Sequence, residues 1–395
     1  MQRRRQPVYL DNHATTPTDP RVVEAMLPYF TEKFGNPHSG SHYYGWEAAE
    51  AVEVARGQIA AAIGASPDEI YFTSGATEAN NLALKGISRF YRDKKNHIIT
   101  CVSEHPCVLD TALDLEEEGT RVTYLSVGSD GLIDINDLEA AITDDTLLVS
   151  IMTVQNEIGT VQPMAEIGAL CHEHKVYLHS DGAQALGKIP LDVKAMNIDL
   201  MSITGHKVYG PMGCGALYVT NKPKARLKPL FSGGGQEKGI RPGTLPAPLC
   251  VGFGKACELA VAEIAAESVA LGKMRDGLLV SITDALTGIH INGGMGARVP
   301  GNLNLSVEDV DAESLMAAVP DLAFSTGSAC SSASADLSYV LSAIGLSREL
   351  AESSLRIGLG RFTTEEEVVY AAERLIEEIK IIRENRQVLS ETAAE

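Results

Sequence analysis

The order of apolar and polar runs predicts an α/β fold: a large domain on a mostly parallel seven-stranded sheet, joined to a smaller α+β domain. Three observations carry this. Short apolar runs alternate with helical runs from residue 17 to about 260. Many of these runs are largely apolar throughout, as strands covered on both faces must be. After residue 245 the alternation gives way to a long alanine-rich stretch and a second, looser pattern.

The strand candidates are Glu69–Thr73, His97–Val102, Val122–Ser126, Leu147–Thr153, Val176–Ser180, Leu200–Thr204 and Gly215–Val219. Helical runs at Glu47–Gly64, Thr77–Tyr91, Cys107–Glu118, Asn136–Ala141 and Met164–His174 lie before or between them. The link between the last two strands is too short for a crossover, so part of the sheet is expected to be antiparallel. The stretch from Leu249 to about Leu286 reads as one helix long enough to bridge two domains. Beyond it come a strand (Asn302–Val307), helices (Glu313–Val319 and Leu337–Ile344), a strand (Ser354–Gly358) and a closing helix opened by Thr363-Thr364-Glu365-Glu366-Glu367. Hydroxyl and acidic side chains suit a helix start, where free N–H groups need acceptors. The polar tail after about Ile382 is expected to fray. Residues 17–262 are assigned to the large domain, and residues 1–16 with 263–395 to the small one.

Composition narrows the function. At 395 residues the chain exceeds a single core of ~250–300 residues. With 45% apolar and 22% charged residues it is an ordinary folded protein. A net charge of −19 argues against a nucleic-acid-binding surface. Seven cysteines without a CxxC argue for a reducing compartment. No apolar run reaches the ~20 residues of a membrane span, and no apolar segment marks a signal peptide, so a cytoplasmic protein without membrane attachment is expected.

Several residues carry chemistry. Lys207, in Thr204-Gly205-His206-Lys207, follows an apolar strand and a glycine, where an amine can form an imine with an aldehyde; a surface lysine is the plain alternative. Asp181 ends a strand, the place where open α/β sheets gather functional groups; a turn-forming Asp-Gly is the alternative. Thr73-Ser74-Gly75-Ala76-Thr77-Glu78 joins a strand to a helix and has the form of a phosphate cradle, though an N-cap does the same without a ligand. Together, cradle, carboxylate and lysine specify pyridoxal phosphate (PLP). His105 is placed to stack on such a ring. Cys330 sits among small polar residues and reads as an accessible thiol, whereas the other six cysteines read as core or surface thiols. The run Cys171-His172-Glu173-His174 points its ligand types several ways on a helix and is not taken as a metal site; no metal is expected in the enzyme itself.

The chain resembles the cysteine desulfurases of the fold-type I PLP enzymes (aspartate aminotransferase-like), in the branch serving iron–sulfur cluster assembly and nitrogen fixation. The resemblance rests on Tyr9-Leu10-Asp11-Asn12-His13-Ala14-Thr15-Thr16, Gly35-Asn36-Pro37-His38-Ser39, Phe72 to Asn81, Asn156-Glu157-Ile158-Gly159, Gly205-His206-Lys207, Arg241-Pro242-Gly243-Thr244, Gly327-Ser328-Ala329-Cys330 and Ser353 to Thr363. It implies that Lys207 is the Schiff-base lysine and proton carrier. Asp181 would partner the pyridine nitrogen and Gln184 the phenolic oxygen. His105 and Ala183 would pack the two faces of the ring, and His105 would assist proton transfer. Ala76 and Thr77 at the cradle, with Thr204 and His206, would bind the phosphate, joined by Thr244 across the interface of a homodimer. Asn156 and Arg356 would clamp the carboxylate of L-cysteine. Cys330 would take the sulfur as a persulfide, release L-alanine, and pass the sulfur to acceptor proteins such as an iron–sulfur cluster scaffold, with tRNA thiolation as a second destination. Cys330 would also be the residue to contribute to a transferred iron–sulfur cluster. A selenocysteine lyase or another PLP enzyme of the same fold is the alternative. Met212 and Pro242 depart from common patterns of that family, and Trp46 is the only tryptophan, so the tail lacks the tryptophan segment of scaffold-docking relatives.

Overall fold

The computed structural model describes residues 7–221, 224–326 and 337–394. Its chain begins with β1 (Val8–Tyr9), α1 (Pro20–Met26), α2 (Pro28–Thr31) and α3 (Tyr43–Ala62). The sheet-forming half then runs β2 (Ile70–Thr73), α4 (Ala76–Tyr91), β3 (His97–Cys101), α5 (Pro106–Glu117), β4 (Arg121–Leu125), α6 (Ile135–Ala141), β5 (Thr146–Ser150), α7 (Met164–Glu173), β6 (Tyr177–Asp181), β7 (Leu200–Thr204) and β8 (Gly215–Val219). The long α8 (Ala247–Ala285) leads to β9 (Ile289–Ile291), β10 (Asn302–Val307), α9 (Ala312–Ala318), β11 (Leu322–Ala323), α10 (Tyr339–Ala343), α11 (Arg348–Glu352), β12 (Ser354–Gly358) and α12 (Glu365–Ala394).

All seven strands predicted for the large sheet join one sheet, in the order β2-β8-β7-β6-β5-β3-β4. The pairs from β7 to β4 are parallel, whereas β8 runs antiparallel to both β7 and β2. Period-2 alternation divides each central strand between two cores. Phe72, Val149, Met201 and Tyr218 pack on one face with Val52, Ile59, Phe253 and Cys257 of α3 and α8. Tyr71, Leu148, Leu200 and Leu217 pack on the other with Leu82, Ile87 and Val108 of α4 and α5. In the strands inside the sheet almost no residue reaches water on either face, which is why they read as continuous apolar runs, whereas edge strand β4 is partly exposed.

A third core holds Leu303, Leu305 and Val307 of β10, Leu355 and Ile357 of β12, and Leu375 and Ile379 of α12. Here β10 pairs antiparallel with both β12 and β9. Leu10 joins this core, because β1 pairs with β11. Helix α8 serves two cores: Cys250, Phe253 and Cys257 lie in the first, Leu278 and Ile282 in the third. No helix among the described residues is long and apolar enough to cross a membrane.

Differences from the sequence reading have local causes. Helix α3 starts at Tyr43 rather than Glu47, because the His42 ring accepts from the Gly45 N–H and caps the helix earlier. Strands β1, β9 and β11 and helix α11 are too short for a periodic signal, and tertiary pairing creates them. The strand expected over Leu147–Thr153 ends at Ser150, although the Ile151 and Thr153 N–H groups still reach β6. Helix α12 opens where expected: the Thr364 hydroxyl accepts from the Glu367 N–H, and the Glu367 carboxylate accepts from the Thr364 N–H. It does not fray after Ile382 but continues to Ala394.

One buried ion pair holds the approach to β2. Glu237 accepts from Arg56 Nη1 and Nη2, each at 2.8 Å, and from the Phe72 N–H at 2.7 Å. Arg56 also donates to the Ile70 carbonyl at 2.7 Å. The Glu237→Ala substitution leaves that guanidinium with the exposed Glu53 carboxylate, 3.0 Å from its Nε, as its remaining counter-ion among the described residues. Equilibrium urea unfolding is expected to show a loss of ~3–5 kcal/mol, the usual cost of breaking a buried pair, and Glu237→Gln a smaller one; a loss below ~1 kcal/mol in Glu237→Ala would show that Glu53 and water compensate the charge.

Candidate active site

The carboxyl ends of the parallel strands reach one edge of the sheet. Asp181 is the last residue of β6 and Thr204 the last of β7, with Gly205–Lys207 forming a single 3-10 turn beyond it. Helix α4 starts beside them, after Ser74-Gly75, and no side chain caps its first turn. This close approach requires glycine at 215: a Cβ there would lie 2.6 Å from the Gly75 Cα.

These ends enclose a cleft of about 1190 Å³. Its walls include Ala76, Thr77, His105, Asn156, Asp181, Ala183, Gln184, Thr204, His206, Lys207 and Arg356. Strands and helices far apart in sequence therefore bring those predicted site residues together. Thr244 is the exception: it is exposed and does not line the cleft. Cys330 lies outside the described residues.

Each charged group has a defined setting. Asp181 is buried and accepts from the Asn80 amide at 2.7 Å and the Ala183 N–H at 2.9 Å. The Lys207 amine donates to the His13 and Ala14 carbonyls at 2.5 and 2.7 Å. Gln184 donates to the His13 carbonyl at 2.8 Å, while its carbonyl accepts from Lys188 and faces His13 Nδ1 at 3.2 Å. Lys188 is partly exposed as a residue, yet its amine lies deep in the protein; burial, with Lys207 and Arg356 nearby, holds its pKa well below the ordinary lysine value. His206 shares a 3.1 Å contact with the Thr15 hydroxyl, and burial, aided by Lys207, lowers it to about 4, so it stands neutral. Arg356 is 2% exposed and pairs with Asp11 at 2.9 Å.

The donor set fits an anionic, aldehyde-bearing ring. An uncapped helix start offers N–H groups to a phosphate, and Thr77 and Thr204 add hydroxyls. The buried Asp181 carboxylate suits a protonated ring nitrogen, and Lys207 supplies the amine. Two buried polar atoms of the cleft residues, His13 Nε2 and Arg356 Nε, have no hydrogen-bond partner; buried polar groups ordinarily have one, so both suit a polar ligand. Among the described residues no group of three or more potential ligands is arranged for a metal ion.

Residue patterning missed several members. His13, Glu157, Tyr339 and Met212 also line the cleft. His13 and Glu157 stand within the motifs that carry the family resemblance, but their burial is visible only in the fold. Cys107, read as a core or surface thiol, is a cleft residue as well; its place two residues after His105 was the available signal. Glu104 is fully buried, accepts from the Met152 N–H at 2.5 Å, and leaves Oε2 without a partner.

The chain matches the aminotransferase class-V family model over residues 8–370. It is 57% identical over 378 residues to a protein named cysteine desulfurase IscS from Rickettsia africae, covering 96% of this chain and 92% of the relative. Cysteine desulfurase of Mus musculus is 56% identical, covering 96% of this chain and 82% of that one. Among solved structures, a NifS-like protein superposes with a TM-score of 0.89 at 35% identity, covering 95% of this chain and all of the other. SspA in complex with cysteine gives 0.81 at 40% identity, over 90% of this chain and all of that one.

Burial pushes the Glu104 carboxyl up to about 8; the Met152 N–H opposes this and the nearby Asp181 charge adds to it. A carboxyl whose folded pKa exceeds its ordinary 4.5 holds its proton more tightly when folded. That stabilisation is whole below the unfolded value and is lost as pH rises toward 8. Glu104→Gln removes the titration. Thermal melts are expected to show the variant gaining on the parent protein between pH 5 and pH 8; a pH-independent difference would mean that Glu104 ionises without cost.

Proposed function

Because the chain belongs to the aminotransferase class-V family, among its cysteine desulfurases, we propose that the cleft holds PLP and removes the sulfur of L-cysteine. What supports this reading above all is the meeting of Lys207, Asp181 and Arg356 around one cleft. When bound, PLP supplies an aldehyde that captures an amino acid and a ring that draws electrons from its α-carbon.

The protein's own residues then divide the work. Ala76 and Thr77 at the start of α4, with Thr204 and His206, hold the phosphate. Asp181 keeps the ring nitrogen protonated, and Gln184 donates to the phenolic oxygen. His105 and Ala183 take the ring faces. Lys207 holds the cofactor and carries the α-proton. Asn156 and Arg356 receive the substrate carboxylate, and the planar guanidinium favours a two-point grip. That grip competes with Asp11, the present partner of Arg356. His105 assists proton transfer at the substrate sulfur. The Cys330 thiolate attacks that sulfur, a persulfide forms on Cys330, and the three-carbon skeleton leaves as L-alanine. L-cysteine as substrate is supported by the cysteine-bound relative.

The exposed position of Thr244 is consistent with a homodimer in which Thr244 completes the neighbouring phosphate site. Sulfur acceptors, an iron–sulfur scaffold first among them, meet Cys330. Six described cysteines are free thiols, which supports a cytoplasmic setting. Residues 17–262 form the large domain and residues 1–16 with 263–395 the small one, a division supported by separate apolar cores.

Borohydride reduction and peptide mapping of the holoenzyme are expected to find the cofactor on Lys207. Mass spectrometry after L-cysteine is expected to find one added sulfur on Cys330, with L-alanine released. Cofactor on another lysine, or full alanine production by Cys330→Ala, would refute the assignment.

Thr244→Ala is expected to lose PLP faster on dialysis while keeping its fold. Light scattering that showed a fully active monomer would rule out the shared site.

A further inference from the structure

Cys107 sits in the first turn of α5, immediately after the Pro106 that follows His105. The His105 ring caps this helix: its Nδ1 accepts from the Cys107 N–H at 3.2 Å. A backbone N–H can only donate, so Nδ1 carries no proton and the neutral ring bears its hydrogen on Nε2. The Cys107 Sγ lies 3.1 Å from the same Nδ1. Since Nδ1 accepts, the thiol donates. Sγ in turn receives the Asn80 amide at 3.1 Å, and the same amide nitrogen donates to Asp181 at 2.7 Å. One amide nitrogen carries two hydrogens, enough for both contacts.

We propose that Cys107 is a positioning residue for His105: its thiol closes a hydrogen-bonded chain Asp181–Asn80–Cys107–His105 that holds the ring, already set as its Nε2–H tautomer by the Cys107 N–H, in one orientation. The chain links the carboxylate assigned to the ring nitrogen with the histidine assigned to the ring face. Two donors share the Nδ1 lone pair, so a proton from solvent does not reach Nδ1 without displacing one of them. His105 is thereby held as a hydrogen-bond donor through Nε2, and each rotation of its ring breaks the helix cap as well as the thiol contact. Alanine at 107 would keep the backbone donor and lose the thiol; serine would keep a hydroxyl that can donate to Nδ1 and accept from Asn80.

The inference rests on the reading of the cleft as a PLP site, but its primary readout does not depend on substrate. Holoenzyme labelled with ¹⁵N-histidine, with the His105 signals assigned by a His105→Asn variant, reports the tautomer directly. The parent protein and Cys107→Ser are expected to show the Nε2–H pattern with matching Nδ1 shifts, and Cys107→Ala the same tautomer with its Nδ1 signal displaced by loss of the second donor. Turnover is expected to fall about three- to tenfold in Cys107→Ala, the scale of one net hydrogen bond, and to recover in Cys107→Ser. Parent-like His105 signals in Cys107→Ala would overturn the proposal, as would equal loss of turnover in both variants with a lowered melting temperature, which marks packing alone. Failure to bind PLP would count against the functional reading; the tautomer assignment is read separately on the same samples.

Discussion

Parallel pairing of β6 with β7 sets Asp181 directly opposite Ser202, on the strand that leads into the turn carrying Lys207. Carboxylate and amine therefore arrive at one sheet edge through backbone hydrogen bonds rather than through contact with each other. A slip of one residue would turn Asp181 to the other face of the sheet and break the site. The register is held from below by apolar alternation into two cores, so the stability of the fold and the geometry of the cleft have the same origin. Helix α4 adds its uncapped first turn to that edge because Gly75 and Gly215 allow the backbones to touch.

Around that edge the protein sorts charge by burial. Glu104 and Glu157 are pushed up, to about 8 and about 7, chiefly by desolvation. Burial likewise lowers His206 and His13 and leaves both rings neutral. Asp181 accepts from the Asn80 amide and the Ala183 N–H. Arg356, nearly dry, has Asp11 as its counter-ion. Asp11 also accepts from the Ser325 hydroxyl at 2.8 Å. Asp11 thus ties Arg356 to the segment that follows β11. On the other side, Ser338 donates to Glu157 at 2.6 Å and Tyr339 to the Glu104 carbonyl at 2.6 Å. The described residues flanking the Cys330 segment are anchored at both ends to groups that line or adjoin the cleft.

Much of the site was legible because its chemistry is compressed into short motifs at element junctions. Thr73 to Glu78, Ser180 to Gln184 and Thr204 to Lys207 each join a strand to a turn or helix, and small or polar residues there stand out against apolar strands. Cys107 and Glu104 did not stand out, since their roles come from which way a buried side chain points. Lys188 gives no sequence signal at all: its amine is buried only because the turn after β6 folds back toward Gln184 and Lys207.

The amino-acid order by itself determined the fold class, the seven strands of the main sheet, the long bridging helix and the residue types of the cleft, because hydrophobic period and junction chemistry are local properties. Tertiary structure alone decided the strand order, the pairing of β1 with β11, and the convergence of Asp11, His13 and Arg356 on Lys207 and Gln184. Those contacts join residues more than a hundred positions apart. No local pattern records them, since they exist only once separate apolar faces have found each other and closed around the same edge.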